Sequence, residues 1–189
     1  IVLHGRTGVG KTLLLKKLPN YLDLEEFAGH RSSLFGAINK IPQTQKNFEA
    51  LLAKKILELP KTKPIFIEGE SRKVGEVFIP QTLAEAMKYG TLVLLRASLD
   101  TRIERIVEEY KIYDEKTFLQ TDTILQSMQK ALGKKKADQL RKWLRKGEFK
   151  NIVHLLPEEY CDPRYQYSMS GNEYSLELSA EDLNIAAEK

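Results

Sequence analysis

Eight residues near the start of the chain, Gly5-Arg6-Thr7-Gly8-Val9-Gly10-Lys11-Thr12, follow the pattern G-x-x-x-x-G-K-[ST]. They stand between an apolar run, Ile1-Val2-Leu3, and a segment of helical character, Leu13 to Leu18. A strand, a glycine-rich loop and a helix in that order form a phosphate cradle. The glycines let successive backbone N–H groups turn toward one anion, Lys11 adds a point charge, and Thr12 offers a hydroxyl to Mg²⁺. A phosphate-bearing ligand is the chemistry this spacing implies.

Three further groups of residues bear on that ligand. Glu68 ends the apolar run Ile65-Phe66-Ile67, where an acidic residue holds Mg²⁺ or orients water beside phosphates. Glu70 and Arg72 follow it, outside the carboxyl end of the strand, where open α/β sheets bind ligands. His30 and Arg31 lie in the loop segment Ala28 to Gly36; a histidine there transfers protons or contacts phosphate, and an arginine clamps an anion with two hydrogen bonds. The third group is basic. Between Lys134 and Lys150 eight Lys or Arg oppose Asp138 and Glu148, a local excess of +6 in a chain whose net charge is +4. Lys134, Lys135, Lys136, Arg141, Lys142, Arg145 and Lys146 surround Trp143 in the manner of a polyanion-binding helix, and Tyr165 and Tyr167, near Arg164, could add aromatic contacts. Cys161, the single cysteine, has no histidine at catalytic spacing and no second thiol, and reads as structural.

The elements that must position these groups alternate between apolar runs and amphipathic helices. That pattern predicts an α/β domain of the P-loop NTPase-like class: a mainly parallel sheet flanked by helices, with a C-terminal helical annex. Strands are expected at Ile1–His4, Tyr21–Leu24, Ile65–Ile67, Thr91–Leu95 and Asn172–Leu178. Helices are expected at Gln45–Leu59, at Pro80–Tyr89, and after Asp100 as its cap. From Asp114 to Leu156 only helical stripes occur. The divisions read from this are a core over 1–113, a basic helical annex over 114–160 and a return segment over 161–189.

With 189 residues the chain is long enough to bury about 70% of its unfolded surface. No apolar run reaches the roughly 20 residues that span a bilayer, and one cysteine excludes a disulfide framework. Both features fit a cytoplasmic protein. The chain begins inside an expected strand and without Met, which suggests a piece of something longer.

Taken together, GRTGVGKT, DLEEFAGHRSSLFG, the Pro42-Gln43-Thr44-Gln45 helix entry, FIEGESRKVGEVFIP, ASLDTRIERIVEEY and YCDPRYQYS resemble the P-loop domain of the tRNA 2-selenouridine synthase family, over nearly the whole chain. The resemblance implies a tRNA-modifying transferase that converts wobble 2-thiouridine to 2-selenouridine through an S-geranylated intermediate. Its donors would be geranyl diphosphate and selenophosphate, its partners tRNA and a rhodanese-like domain in cis or on a separate chain. Gly5 to Thr12 would hold geranyl diphosphate, selenophosphate or ATP/GTP, with Thr12 and Glu68 on Mg²⁺. Lys11, Glu68, Glu70, Arg72, His30 and Arg31 would line the reaction site. Ser32 stands where the family pattern has glycine, and the resemblance gives Cys161 no rhodanese role. Two other functions fit the phosphate loop: a small-molecule P-loop kinase, with Arg102 or Arg105 closing over the phosphates, and a non-catalytic nucleotide switch.

Overall fold

The computed structural model describes residues 1–110, 112, 114–169 and 171–189, with only the backbone of residues 168 and 169. In chain order its elements are β1 (Val2–His4), α1 (Lys11–Leu15), β2 (Tyr21–Leu22), α2 (Leu24–Ala28), α3 (Gln45–Glu58), β3 (Phe66–Glu68), β4 (Lys73–Val74), β5 (Val77–Phe78), α4 (Gln81–Lys88) and β6 (Leu92–Arg96). There follow α5 (Leu99–Glu109), α6 (Glu115–Ser127), α7 (Gln129–Leu132), α8 (Lys134–Arg145) and α9 (Phe149–Leu156). A π-helical turn, Pro157–Cys161, leads into α10 (Asp162–Met169), and β7 (Leu176–Ser179) and α11 (Leu183–Ala187) close the chain.

Five strands form one sheet in the order β2-β3-β1-β6-β7, and the pairs in it are parallel. The chain leaves β1 toward β3 and β2 on one side and later fills β6 and β7 on the other. The carboxyl end of β1 is therefore the point where strand order reverses and a crevice opens. Successive residues of a strand face opposite sides. Val2 and Ile67 accordingly pack with Phe48, Leu52 and Met87 on the side of α2, α3 and α4. Leu3 and Phe66 pack with Leu14, Leu15 and Ala186 on the side of α1 and α11. The α/β class and the parallel sheet are as the alternation of elements indicated.

Contacts divide the chain into two compact units, one of residues 1–5, 9–97 and 172–189, the other of residues 6–8 and 98–171. The first holds the sheet. In the second, α5 packs on α9 and α8 packs on both α6 and α9, with Ile103, Ile106, Leu125, Leu140, Leu144, Ile152 and Val153 buried. The division by contacts thus lies at 97/98 and 171/172, whereas the sequence reading set its breaks at 113/114 and 160/161. Residue 113 itself lies outside the described residues. The reason is that Ile103 and Ile106 of α5 serve the helical core, a partnership that periodicity alone does not reveal.

Local chemistry explains several ends. Ser98, not Asp100, caps α5, its hydroxyl accepting from the Thr101 N–H, while Asp100 sits in the first turn where a negative charge suits the helix dipole. Asp114 and Thr117 close a reciprocal capping box on α6. Pro157 has no N–H for the helical ladder, and the backbone widens there into the π-helical turn. The short antiparallel pair of β4 and β5 was absent from the sequence reading. Among the described residues no helix is long and apolar enough to cross a membrane.

Candidate phosphate-binding site

Beyond His4 the chain turns through Gly5–Gly10 and enters α1 at Lys11, with Gly10 as cap at φ 95°, a left-handed conformation that favours glycine. The Lys11 ammonium donates to the Gly5 carbonyl at 3.3 Å and lies 3.6 Å from Glu70 Oε1. Lys11 and Glu70 are both largely buried at their side chains, 15% and 8% exposed, so the charge on one is balanced in place by the other.

Strand register brings Glu68 to the same place. Glu68 pairs opposite Leu3, one residue before the end of β1, and shares the face of Phe66, two residues earlier, which is the face covered by α1. The Thr12 hydroxyl donates to Glu68 Oε1 and stands 3.4 Å from Glu25 Oε2. Glu68 is 0% exposed, and its Oε2 has no hydrogen-bond partner among the described residues. Burial first, then the negative fields of Glu25, Asp23 and Glu70, hold its pKa well above the usual carboxylate range, against the opposing Thr12 hydrogen bond.

Asp23 and Glu25 belong to this group, and the sequence reading had not singled them out. Asp23 caps α2, accepting from the Glu26 N–H at 2.8 Å, and pairs with Lys16 at 3.6 Å. Burial raises its pKa as well. Glu25 accepts the Ser32 N–H at 2.6 Å. The available signal was the acidic run Asp23-Leu24-Glu25-Glu26 just past a strand end.

His30 and Arg31 build the loop that follows α2. Arg31 donates from its guanidinium to the Ile38 carbonyl at 2.9 Å and from its N–H to Gly36 O at 3.1 Å. A Cβ at Gly36 would lie 1.8 Å from the Arg31 carbonyl oxygen, so this turn closes only on glycine. His30 is half-buried against Gly75, and that burial lowers its pKa. The bonds seen for this pair shape the loop whose Ser32 amide holds Glu25.

Next to Glu70 a cavity of about 250 Å³ opens in the sheet unit. Val2, Ile79, Ala84, Met87 and Leu92 give it apolar walls, while His4, Glu70, Arg72 and Lys88 supply polar groups. Arg72 and Glu70 thus line the same cavity. The His4 ring meets Tyr174 edge-on at 5.6 Å. Burial and the nearby Lys11 charge push the His4 pKa down to about 4, so it is neutral near pH 7.

Of the seven basic residues singled out on and beside α8, Arg141 forms a two-pronged pair with Asp122 at 2.7 Å, Lys136 pairs with Glu159, and Lys146 stands 4.0 Å from Glu148. Lys134, Lys135, Lys142 and Arg145 are exposed. The buried face of α8 is Ala137, Leu140 and Leu144. Burial raises the Cys161 thiol to about 11, which keeps it protonated near neutral pH. Arg102, one of the two arginines that the kinase alternative would place over phosphates, is 3% exposed and bound to Asp162 and the Thr7 carbonyl.

The profile of the tRNA 2-selenouridine synthase AAA domain matches residues 1–187. The chain belongs to that family. Relatives named tRNA 2-selenouridine synthase include one from Hydrogenovibrio crunogenus, 34% identical over 94% of this chain and 55% of its own. One from Sulfurovum sp. is 32% identical over 91% of this chain and 54% of its own, and one from Hahella chejuensis 31% over 89% and 52%. The chain thus spans about half the length of these relatives. No solved structure matches. The Gly5–Thr12 segment and the end of β3 meet at Thr12 and Glu68.

Proposed function

We propose that this chain is the phosphate-binding part of a tRNA 2-selenouridine synthase, and that its loop holds the diphosphate of geranyl diphosphate while a thiolated tRNA base is alkylated. The observation that carries this reading is the junction of two environments at Glu70. On one side stand Lys11 and the loop; on the other is the cavity walled by Ile79, Met87 and Leu92. An anion with an apolar body suits both.

In that reaction the sulfur of wobble 2-thiouridine attacks the geranyl carbon, the C–O bond breaks, diphosphate leaves with the bonding electron pair, and the base loses its N3 proton to solvent. Negative charge grows on the leaving oxygen, and Lys11 with the loop amides is placed to stabilise it. The selenium of selenophosphate then attacks C2, the geranylthiolate leaves and takes up the selenophosphate proton as the thiol, and water cleaves the Se–P bond to release phosphate. A thioether leaves more readily than a thione sulfur. A rhodanese-like domain, in cis or on a separate chain, would serve this second stage.

Mg²⁺ suits the donors present, since Thr12 offers a hydroxyl and Glu68 an oxygen with no hydrogen-bond partner among the described residues. Thr12 and Glu68 would hold it, and it would neutralise phosphate charge. The exposed residues Lys134, Lys135, Lys142 and Arg145 would meet the tRNA backbone.

The test is a thermal-shift comparison of geranyl diphosphate, selenophosphate, ATP and GTP, each with and without Mg²⁺. A ligand at 100 times its Kd stabilises by about 2.7 kcal/mol. Geranyl diphosphate should give the larger shift, and Lys11→Ala should remove it. A shift with ATP alone would return the kinase or switch functions to first place.

A further inference from the structure

Within the helical unit, Arg102 uses its guanidinium fork in three directed hydrogen bonds. Nη1 and Nη2 donate to the two carboxylate oxygens of Asp162 at 2.9 and 2.6 Å, and Nε donates to the Thr7 carbonyl at 2.9 Å. Arg6 donates to the same carboxylate at 3.2 Å. Asp162 follows directly on the π-helical turn, which sets where α10 begins. Gly8, at φ 79°, is pressed against α5: a Cβ there would lie 2.7 Å from the Arg102 carbonyl oxygen and 2.8 Å from Ile106.

The Thr7 hydrogen bond has a directional consequence. The described peptide bonds are trans, and in a planar trans peptide the C=O and the following N–H point to opposite sides. Holding the Thr7 oxygen toward Arg102 therefore turns the Gly8 N–H away from Arg102. We propose that Arg102, oriented by Asp162, is a positioning residue that aims the Gly8 amide of the phosphate loop at its anion. The Asp162 carboxylate keeps the fork in plane and balances its buried charge; a lysine, lacking the fork, cannot hold both partners. This inference rests on reading Gly5–Thr12 as a phosphate loop, and it joins the Asp162 segment near the end of the chain to that loop.

The test uses the 189-residue chain, inorganic pyrophosphate as probe and the Gly8 amide signal in ¹⁵N-glycine NMR. Asp162→Asn and Arg102→Lys should each displace the Gly8 signal and weaken pyrophosphate binding by about tenfold, the worth of a hydrogen bond to a charged group. Leu140→Ala, which loosens the same helical unit from its core, should lower Tm yet leave both readouts in place. Asp162→Asn keeps the side-chain shape and so covers the case in which Arg102→Lys fails to fold. A folded Asp162→Asn with an unmoved Gly8 amide and an affinity within about twofold of the parent overturns the proposal. If the parent chain binds no pyrophosphate, the phosphate-loop reading itself fails, and displacement of the Gly8 amide alone decides whether Arg102 positions it.

Discussion

The Thr12 hydroxyl donates to Glu68 Oε1 while Glu68 Oε2, fully enclosed, accepts no hydrogen bond among the described residues. One carboxylate thus carries both the tie between α1 and β3 and an unmet electrostatic demand. A buried carboxylate with three acidic neighbours favours its neutral form.

The sign of the resulting pH dependence follows from linkage. The folded-state pKa of Glu68 is raised above its ordinary value of 4.5. Its contribution to stability is therefore complete below that value and is lost as pH rises through the raised one. Glu68→Gln should make the Tm of the ligand-free chain less sensitive to pH above 4.5 and higher than the parent's at about pH 7 to 8. The same variant should lose the added stabilisation by Mg²⁺ with a phosphate ligand. A parent and variant with parallel Tm curves would sink this account of Glu68.

His4 acts in the opposite direction and over a different range. Its folded-state pKa is lowered from 6.5 to about 4, so the stability it contributes is present above 6.5 and is lost as pH falls toward 4. Histidine NMR should show the His4 imidazole titrating near 4. The signal should be assigned with His4→Gln, which should also flatten the acid limb of the Tm curve.

On α8 the ion pairs separate two classes of basic residue. Replacing Lys134, Lys135, Lys142 and Arg145 together by Ala should weaken tRNA binding and reduce the salt slope by about 1 for each phosphate left without its cation. Arg141→Ala should instead lower Tm, because Asp122 loses its two-pronged partner, and should leave the slope nearly as it was. Filter binding across a salt series distinguishes the two outcomes.

Gly36→Ala places a methyl group against the Arg31 carbonyl. Overpacking of this kind costs about 1–3 kcal/mol. Denaturant melts should register that loss, and the Ser32 amide, which donates to Glu25 from the same loop, should show weakened protection from hydrogen exchange.

The parallel sheet was legible in the runs Ile65-Phe66-Ile67 and Leu92-Val93-Leu94-Leu95, because strands buried on both faces must be continuously apolar. The cap of α5 was misplaced by two residues, since Ser98 and Asp100 are both good caps and only backbone geometry selects between them. The ion pair of Arg141 was not legible in the sequence, because its partner, Asp122, lies nineteen residues away on another helix.

The loop Gly5–Thr12 and the acidic residue Glu68 are properties of the sequence, since their chemistry needs particular residue types at fixed local spacing. What the tertiary structure decided is which distant groups share their space. Register set Glu68 beside Thr12 and gathered Glu25 and Asp23 around it. Packing of α5 turned Arg102 from a candidate phosphate ligand into the partner of Asp162 and the Thr7 carbonyl. Spacing along a chain fixes neighbours within a turn or a strand, but contacts between residues 7, 102 and 162 exist only once helices and sheet have closed on their cores.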